Sequence, residues 1–196
     1  MTVLDDIKKA IEVEAEAIQA LAYRIGPEFE MAVSYIQNRK GKVVVTGVGK
    51  SGHIGKKIAA SLASTGTPAF FVHSTEGIHG DLGMIETNDV VILISNSGET
   101  AEVLSLLPSL NKIGSKKIAI TSKGDSTLAK ESDVVLTYQY ETEADHLGLA
   151  PTTSSTLALV IGDALAVVLS KLRNFKNEDF HLYHPGGSLG QKLSES

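Results

Sequence analysis

The sequence predicts an α/β fold, a three-layer α-β-α sandwich around a five-stranded parallel sheet. Five short apolar, β-branched runs recur along the chain: VVVTG (43–47), AFFV (69–72), VVILIS (90–95), KIAIT (117–121) and VVLTY (134–138). They are continuous rather than alternating, the pattern of strands covered on both faces. Helical periodicities separate most of them, and β-α-β alternation with right-handed crossovers makes such a sheet parallel.

Each element has its own signal. Ile7, Ile11, Ala15, Ile18, Leu21 and Ala22 recur at three- and four-residue intervals with acids opposite, which predicts an amphipathic helix over 5–22. Pro27 fits a first helical position and opens a second helix to about Gln37. Strand one then ends in glycine and leads into a helix. The run AEVLSLLPSL (101–110) reads as the helix after strand three. A long final helix from Ser154 to about Lys171 and the tail HPGGSLG (184–190) complete the chain. No linker, repeat or low-complexity segment interrupts this order, so residues 1–196 are expected to form one domain.

Composition removes several classes of function. With 196 residues, 42% hydrophobic and 21% charged, the chain can bury one substantial core. Lys and Arg number 18 against 23 Asp and Glu, a net charge of −5, the wrong sign for a nucleic-acid partner. The absence of cysteine excludes disulfides, thiolate metal sites and cysteine nucleophiles. Acids stand in the N-terminal segment where a signal peptide needs basic residues. The longest apolar stretch, Leu157 to Leu169, is broken by Gly162 and Asp163 and falls short of the ~20 residues that cross a bilayer. No membrane association and a cytoplasmic location are expected.

Ligands of open parallel sheets bind at the carboxyl ends of the strands, where strand order reverses. The first such loop, Gly47-Val48-Gly49-Lys50-Ser51-Gly52, matches GxGxxG, and Glu76 lies at a ribose-contact spacing. It is not a P-loop, because Val44 stands where the first glycine is required. Its glycines still allow close approach of a ligand to a helix N-terminus, and Lys50 adds a cation. The loop after strand three, Ser95-Asn96-Ser97-Gly98-Glu99-Thr100, carries three hydroxyls and an amide. Capping a helix needs one of these; three can also hold phosphoryl oxygens. A second phosphate cradle argues against a dinucleotide and for one small phosphorylated ligand.

Ser95, Ser97, Gly98 and Thr100 give the loop the S-x-S-G-x-T form, and on this motif the chain resembles the sugar isomerase (SIS) domain family. The blocks GVGKSGHIGKKIAASLASTGTPAFFVH, HGDLGM, SNSGET, LGLAPTTSSTLALVIGDALAV and HPGGSLG, spanning 47–190, are similar to those of D-arabinose 5-phosphate isomerases that feed Kdo (3-deoxy-D-manno-octulosonate) synthesis. The resemblance implies a flavodoxin-like SIS fold and an aldose-ketose isomerase that interconverts ribulose 5-phosphate and arabinose 5-phosphate through an enediolate. It further implies no cofactor, no required metal and a homotetramer. Lys50, Glu102, Glu143 and His184 match the family's catalytic positions. Gly49, Ser51, His79, Ser95, Asn96, Ser97 and Thr100 match its substrate-binding region. Many relatives continue into a tandem CBS pair, whereas this sequence ends at Ser196.

Other acids are expected to have plainer roles: Glu99 complements a helix dipole, and Glu141 and Asp145 are solvated loop charges. His73, His79, His146 and His184 with nearby acids offer N/O ligands, with His79 the expected point of inhibitory metal binding. Two other classes compete with the isomerase. One is a noncatalytic phosphosugar-binding regulator, which an SIS domain also serves. The other is a nicotinamide-dependent enzyme resting on GxGxxG and Glu76 alone.

Overall fold

The computed structural model describes residues 2–185. Five parallel strands, β1 (Val43–Gly47), β2 (Ala69–His73), β3 (Val90–Ile94), β4 (Lys116–Thr121) and β5 (Val134–Thr137), lie in the order β2-β1-β3-β4-β5. Strand β1 pairs on one side with β2 and on the other with β3. The strand order therefore reverses at β1, and the crevice lies between the loops after β1 and β3.

The period of two along each strand divides the core in two. Val43, Val45, Ile92, Ile94, Ile118, Ile120 and Leu136 face one layer, formed by helices α1 (Val3–Ala22), α2 (Pro27–Asn38), α3 (Gly49–Ser64) and α8 (Thr153–Leu172). Val44, Val91, Leu93 and Ala119 face the other. There the short helices α4 (Ser74–Ile78), α5 (Ala101–Leu104), α6 (Leu107–Ile113) and α7 (Thr127–Lys130) lie, with Val103, Leu106, Leu110 and Leu128 buried. The sandwich expected from the sequence is thus present.

Two details differ from the sequence reading. The segment 101–110 is two helices, because Pro108 has no N–H to continue the α5 ladder and enters instead in the first turn of α6. The helix after β5 is not the last: α9 (Asn177–Tyr183) follows, its Asp179 carboxylate accepting from Lys176 N at 2.8 Å. The tail motif beyond Pro185, Gly186 to Gly190, lies outside the described residues.

Helix α8, at 20 residues, also exceeds the apolar run recognised in the sequence, and by length and hydropathy alone it would suffice to cross a bilayer. Leu157, Ala158, Ile161, Leu165, Ala166 and Leu169 are instead buried in the first core layer. Gly162 brings α8 against α3 so closely that a Cβ there would overlap the Ile58 side chain, which is itself fully buried. Gly162→Ala is therefore expected to destabilise the protein by about 1–3 kcal/mol through overpacking, despite the better helix propensity of alanine. Urea unfolding with an unchanged m-value would measure this, and a neutral or stabilised variant would refute the close packing.

Candidate active site

The loop after β3 folds back on itself. Ser95 is buried; its Oγ accepts from Gly98 N at 3.0 Å and lies 2.7 Å from Thr100 Oγ1. These bonds close a tight turn that Gly98 completes with φ +66°, and a Cβ at Gly98 would overlap Ser126 Oγ. Glycine is required there on both counts. Ser97 is exposed, and its Oγ accepts from Glu99 N at 3.1 Å, leaving the hydroxyl proton free for a ligand.

The amide of Asn96 is already engaged. It donates through Nδ2 to the Tyr140 hydroxyl at 2.9 Å and accepts through Oδ1 from the Tyr138 hydroxyl at 3.0 Å. Among the expected ligands of this loop, the Ser97 hydroxyl thus remains open to a bound molecule, whereas Ser95, Asn96 and Thr100 are engaged in hydrogen bonds that shape the loop.

Across the crevice, Gly49 opens α3 with φ +56°, and Lys50 and Ser51 occupy its first turn. Lys50 is exposed and Ser51 half-buried. Glu102 stands in the first turn of α5, exposed, its carboxylate without a hydrogen-bond or ion-pair partner among the described residues. His79 ends α4, which packs on the α5–α6 segment through Gly77 against Leu106. Lys50, Ser97, Glu102 and His79 therefore share the carboxyl end of the sheet. Among the described residues, no three His, Asp or Glu side chains are grouped to hold a metal.

Glu143 occupies a different setting. It is 7% exposed, and its Oε2 accepts from Thr152 N at 2.8 Å, Thr152 Oγ1 at 3.2 Å and Ser154 N at 3.1 Å. It thereby satisfies the unpaired N–H groups at the start of α8. Burial alone would raise its pKa, but the donors at Ser154 and Thr152, with the Tyr140 hydroxyl beside them, outweigh it and hold the carboxyl below the usual range. Burial pushes the Tyr140 phenol up, leaving it protonated next to Glu143.

His184 is the outlier. Its ring stacks on Phe180 at 3.9 Å and its Nδ1 lies 2.9 Å from Phe180 O. The neighbouring Tyr183 lines a cleft with Lys42, Pro68, Ala69 and Phe70, at the amino-terminal ends of β1 and β2. Within one chain His184 is at the opposite end of the sheet from Lys50 and Ser97.

Two acids read as plainer charges have definite structural work. Asp145 accepts from Leu147 N at 2.8 Å, Leu149 N at 2.6 Å and Ala150 N at 2.6 Å. The Leu147 and Ala150 donors lead in holding its carboxyl below the usual range, so it organises the loop before α8 rather than floating in solvent. Glu99 accepts from Thr127 N at 2.6 Å, which lowers its pKa and ties the β3 loop to α7.

A cleft of about 500 Å³ begins at this loop, lined by Asn96, Ser97, Ser122, Lys123, Gln139, Tyr140 and Glu141. Sequence reasoning missed Ser122, Lys123 and Tyr140. The signal was available, since TSKGDS (121–126) follows β4 as the serine loop follows β3.

Because the Glu143 carboxyl is depressed in the folded state, its contribution to stability is complete above the ordinary value of 4.5 and is lost as pH falls through the lower folded value. Glu143→Gln is expected to cost about 1 kcal/mol at neutral pH, the scale of a helix cap. The gap to the native protein should close in acid; a gap constant from pH 7 to pH 3 in chemical unfolding would contradict this account of Glu143.

Comparison with known proteins identifies the family. The SIS domain model matches residues 35–168. The chain is 51% identical over 186 residues to arabinose 5-phosphate isomerase KdsD of Pseudomonas aeruginosa, covering 95% of this chain and 57% of that protein. It is 49% identical over 191 residues to arabinose 5-phosphate isomerase KpsF of Escherichia coli O6:H1 (strain CFT073), covering 97% of this chain and 58% of that one. The chain thus spans less than two thirds of the length of these curated relatives. A solved structure, E. coli CFT073 c3406 in complex with arabinose 5-phosphate, superposes with a TM-score of 0.91 at 50% identity, covering 94% of this chain and all of that one. With the motif, the topology and the relatives in agreement, the chain belongs to the SIS domain family.

Proposed function

We propose that the protein is an aldose-ketose isomerase interconverting D-ribulose 5-phosphate and D-arabinose 5-phosphate, with residues 1–196 acting as one SIS domain and the product serving Kdo and surface polysaccharide synthesis. The observation that carries this reading is the open Ser97 hydroxyl at a cleft, with Lys50 and the unpartnered Glu102 at the same end of the sheet. The names of the two isomerase relatives and the sugar phosphate bound in the similar solved structure support the choice of substrate.

The reaction moves two protons within one molecule. After ring opening, a base removes the proton from C2 of the aldose, and the electrons of that bond make the C1–C2 double bond of an enediolate with its charge on the former aldehyde oxygen. A proton then passes from the C2 hydroxyl to that oxygen, and the base returns its own proton to C1. The ammonium of Lys50 stabilises the oxyanion. Glu102 is the better base, because its carboxylate has no competing donors among the described residues, whereas three donors hold Glu143 ionised and weakly basic. Glu143 then acts by fixing the wall of the site, and His79 contacts the sugar. No metal enters this scheme.

His184 serves ring opening or hydroxyl proton transfer only if another subunit brings it to the site, since within its own chain it lies at the far end of the sheet. The first half of α1 supports an assembly. Leu4, Ile7 and Ile11 are 76%, 53% and 64% exposed, a face with no cover in a single chain. A homotetramer is the form proposed.

Turnover between the two sugars is expected to survive exhaustive chelation; strict dependence on restored metal would overturn the mechanism. Saturable phosphosugar binding with no turnover in either direction would favour the noncatalytic regulator. Ser97→Ala should weaken substrate binding by about 1.5–3 kcal/mol, the scale of a hydrogen bond to a charged group, mainly in KM. Glu102→Gln should lower kcat by ~10²-fold or more and abolish deuterium wash-in at C2. Loss of wash-in from Glu143→Gln alone would reverse the two roles. Co-refolded Glu102→Gln and His184→Ala subunits should recover activity that neither variant has alone; no recovery, or a strictly monomeric active protein, would refute the shared site.

A further inference from the structure

We propose that Lys123 is a ligand-binding residue that supplies the cation for the phosphate held at the serine loop. The proposal rests on the phosphosugar reading of that loop and assigns the charge at one end of it.

The β4 loop is built against the serine loop. Ser122 donates to Asn96 O through its N at 3.0 Å and its Oγ at 2.8 Å, and Leu128 N donates to Gly98 O at 3.1 Å. Between these ties the backbone of Lys123 is held on both sides. Its N–H donates to Thr121 Oγ1 at 3.2 Å, and its carbonyl accepts from Ser126 Oγ at 2.7 Å and Ser126 N at 3.2 Å. A fixed backbone thus presents an exposed side chain at the cleft that Ser97 lines. Lys123 is the one cation among the described residues lining that cleft, and it has no carboxylate partner among the described residues.

The serine loop needs such a charge. Its own donors are neutral, and α5, at four residues, carries little dipole to attract a dianion. In the strand order β1-β3-β4, Lys50 lies on one side of the serine loop and Lys123 on the other. Two cations flanking one loop separate two tasks. Lys123 neutralises the phosphate in the cleft, and Lys50, across the crevice, is left to the charge that develops on the reacting oxygens. Glu141, the acid of the same cleft, belongs to the β5 side beyond Lys123 and does not come between Lys123 and Ser97 in strand order.

The test is calorimetric titration of inorganic phosphate and of arabinose 5-phosphate into the native protein, Lys123→Met and Lys123→Arg, with kinetics in parallel. Lys123→Met keeps the aliphatic stem at an exposed position, and circular dichroism checks that it folds. It should bind both anions about tenfold or more weakly, with the kinetic loss in KM, and Lys123→Arg should recover most of the affinity. Native affinity in Lys123→Met, or a fall in kcat with KM unchanged, would overturn the assignment. Lys123-dependent phosphate binding in a protein without turnover would instead overturn the isomerase reading and leave this one standing.

Discussion

The site depends on one residue, Asn96, whose hydrogen bonds join the ends of three strands. Its carbonyl accepts from Ser122 N, Ser122 Oγ and Thr121 Oγ1 at the end of β4, and its side-chain amide bridges Tyr138 and Tyr140 after β5. Each bond is modest alone, but in a half-buried setting the set fixes one conformation of the loop that precedes Ser97. Serine and threonine hydroxyls can grip an anion only if their backbone does not relax away from it. Asn96 and Gly98 supply that rigidity, and so the two residues least suited to contact a ligand decide how the others do.

The same network divides the acidic groups by task. Glu143, Glu99 and Asp145 all accept backbone N–H groups and are held ionised by them. A carboxylate so engaged organises loops and helix ends and makes a poor base. Glu102 has no such donors among the described residues. Burial and engagement coincide in this pair: the buried Glu143 is bonded to the start of α8, and the exposed Glu102 has no partner among the described residues.

The far position of His184 has a related cause. Chain connectivity returns the polypeptide to the amino-terminal end of the sheet after the long α8, and Phe175 and Tyr183 stack there, beside the Gly66 turn. A single copy therefore keeps His184 apart from Lys50 and Ser97. The apolar face of α1 around Leu4, Ile7 and Ile11 is likewise exposed in a single copy.

Much of the fold was legible in the sequence because continuous β-branched runs and helical periodicity are local properties. All five strands lie where those runs lie, and the glycines of the first loop and the SNSGET motif stand at the ends of β1 and β3. The break at Pro108 was missed, because the apolar spacing across it suggests one helix, although a missing N–H is a covalent fact. Partnership was not legible. Whether Asn96 meets a ligand or two tyrosines depends on residues 26 to 44 positions apart being brought within about 3 Å by strand order, and whether Glu143 is engaged depends on the loop that folds it back onto Thr152 and Ser154 at the start of α8. Residue types and spacing determined which chemistry the chain can carry; only the tertiary structure decided which groups are left unbonded to perform it, because hydrogen bonds across strands consume the rest.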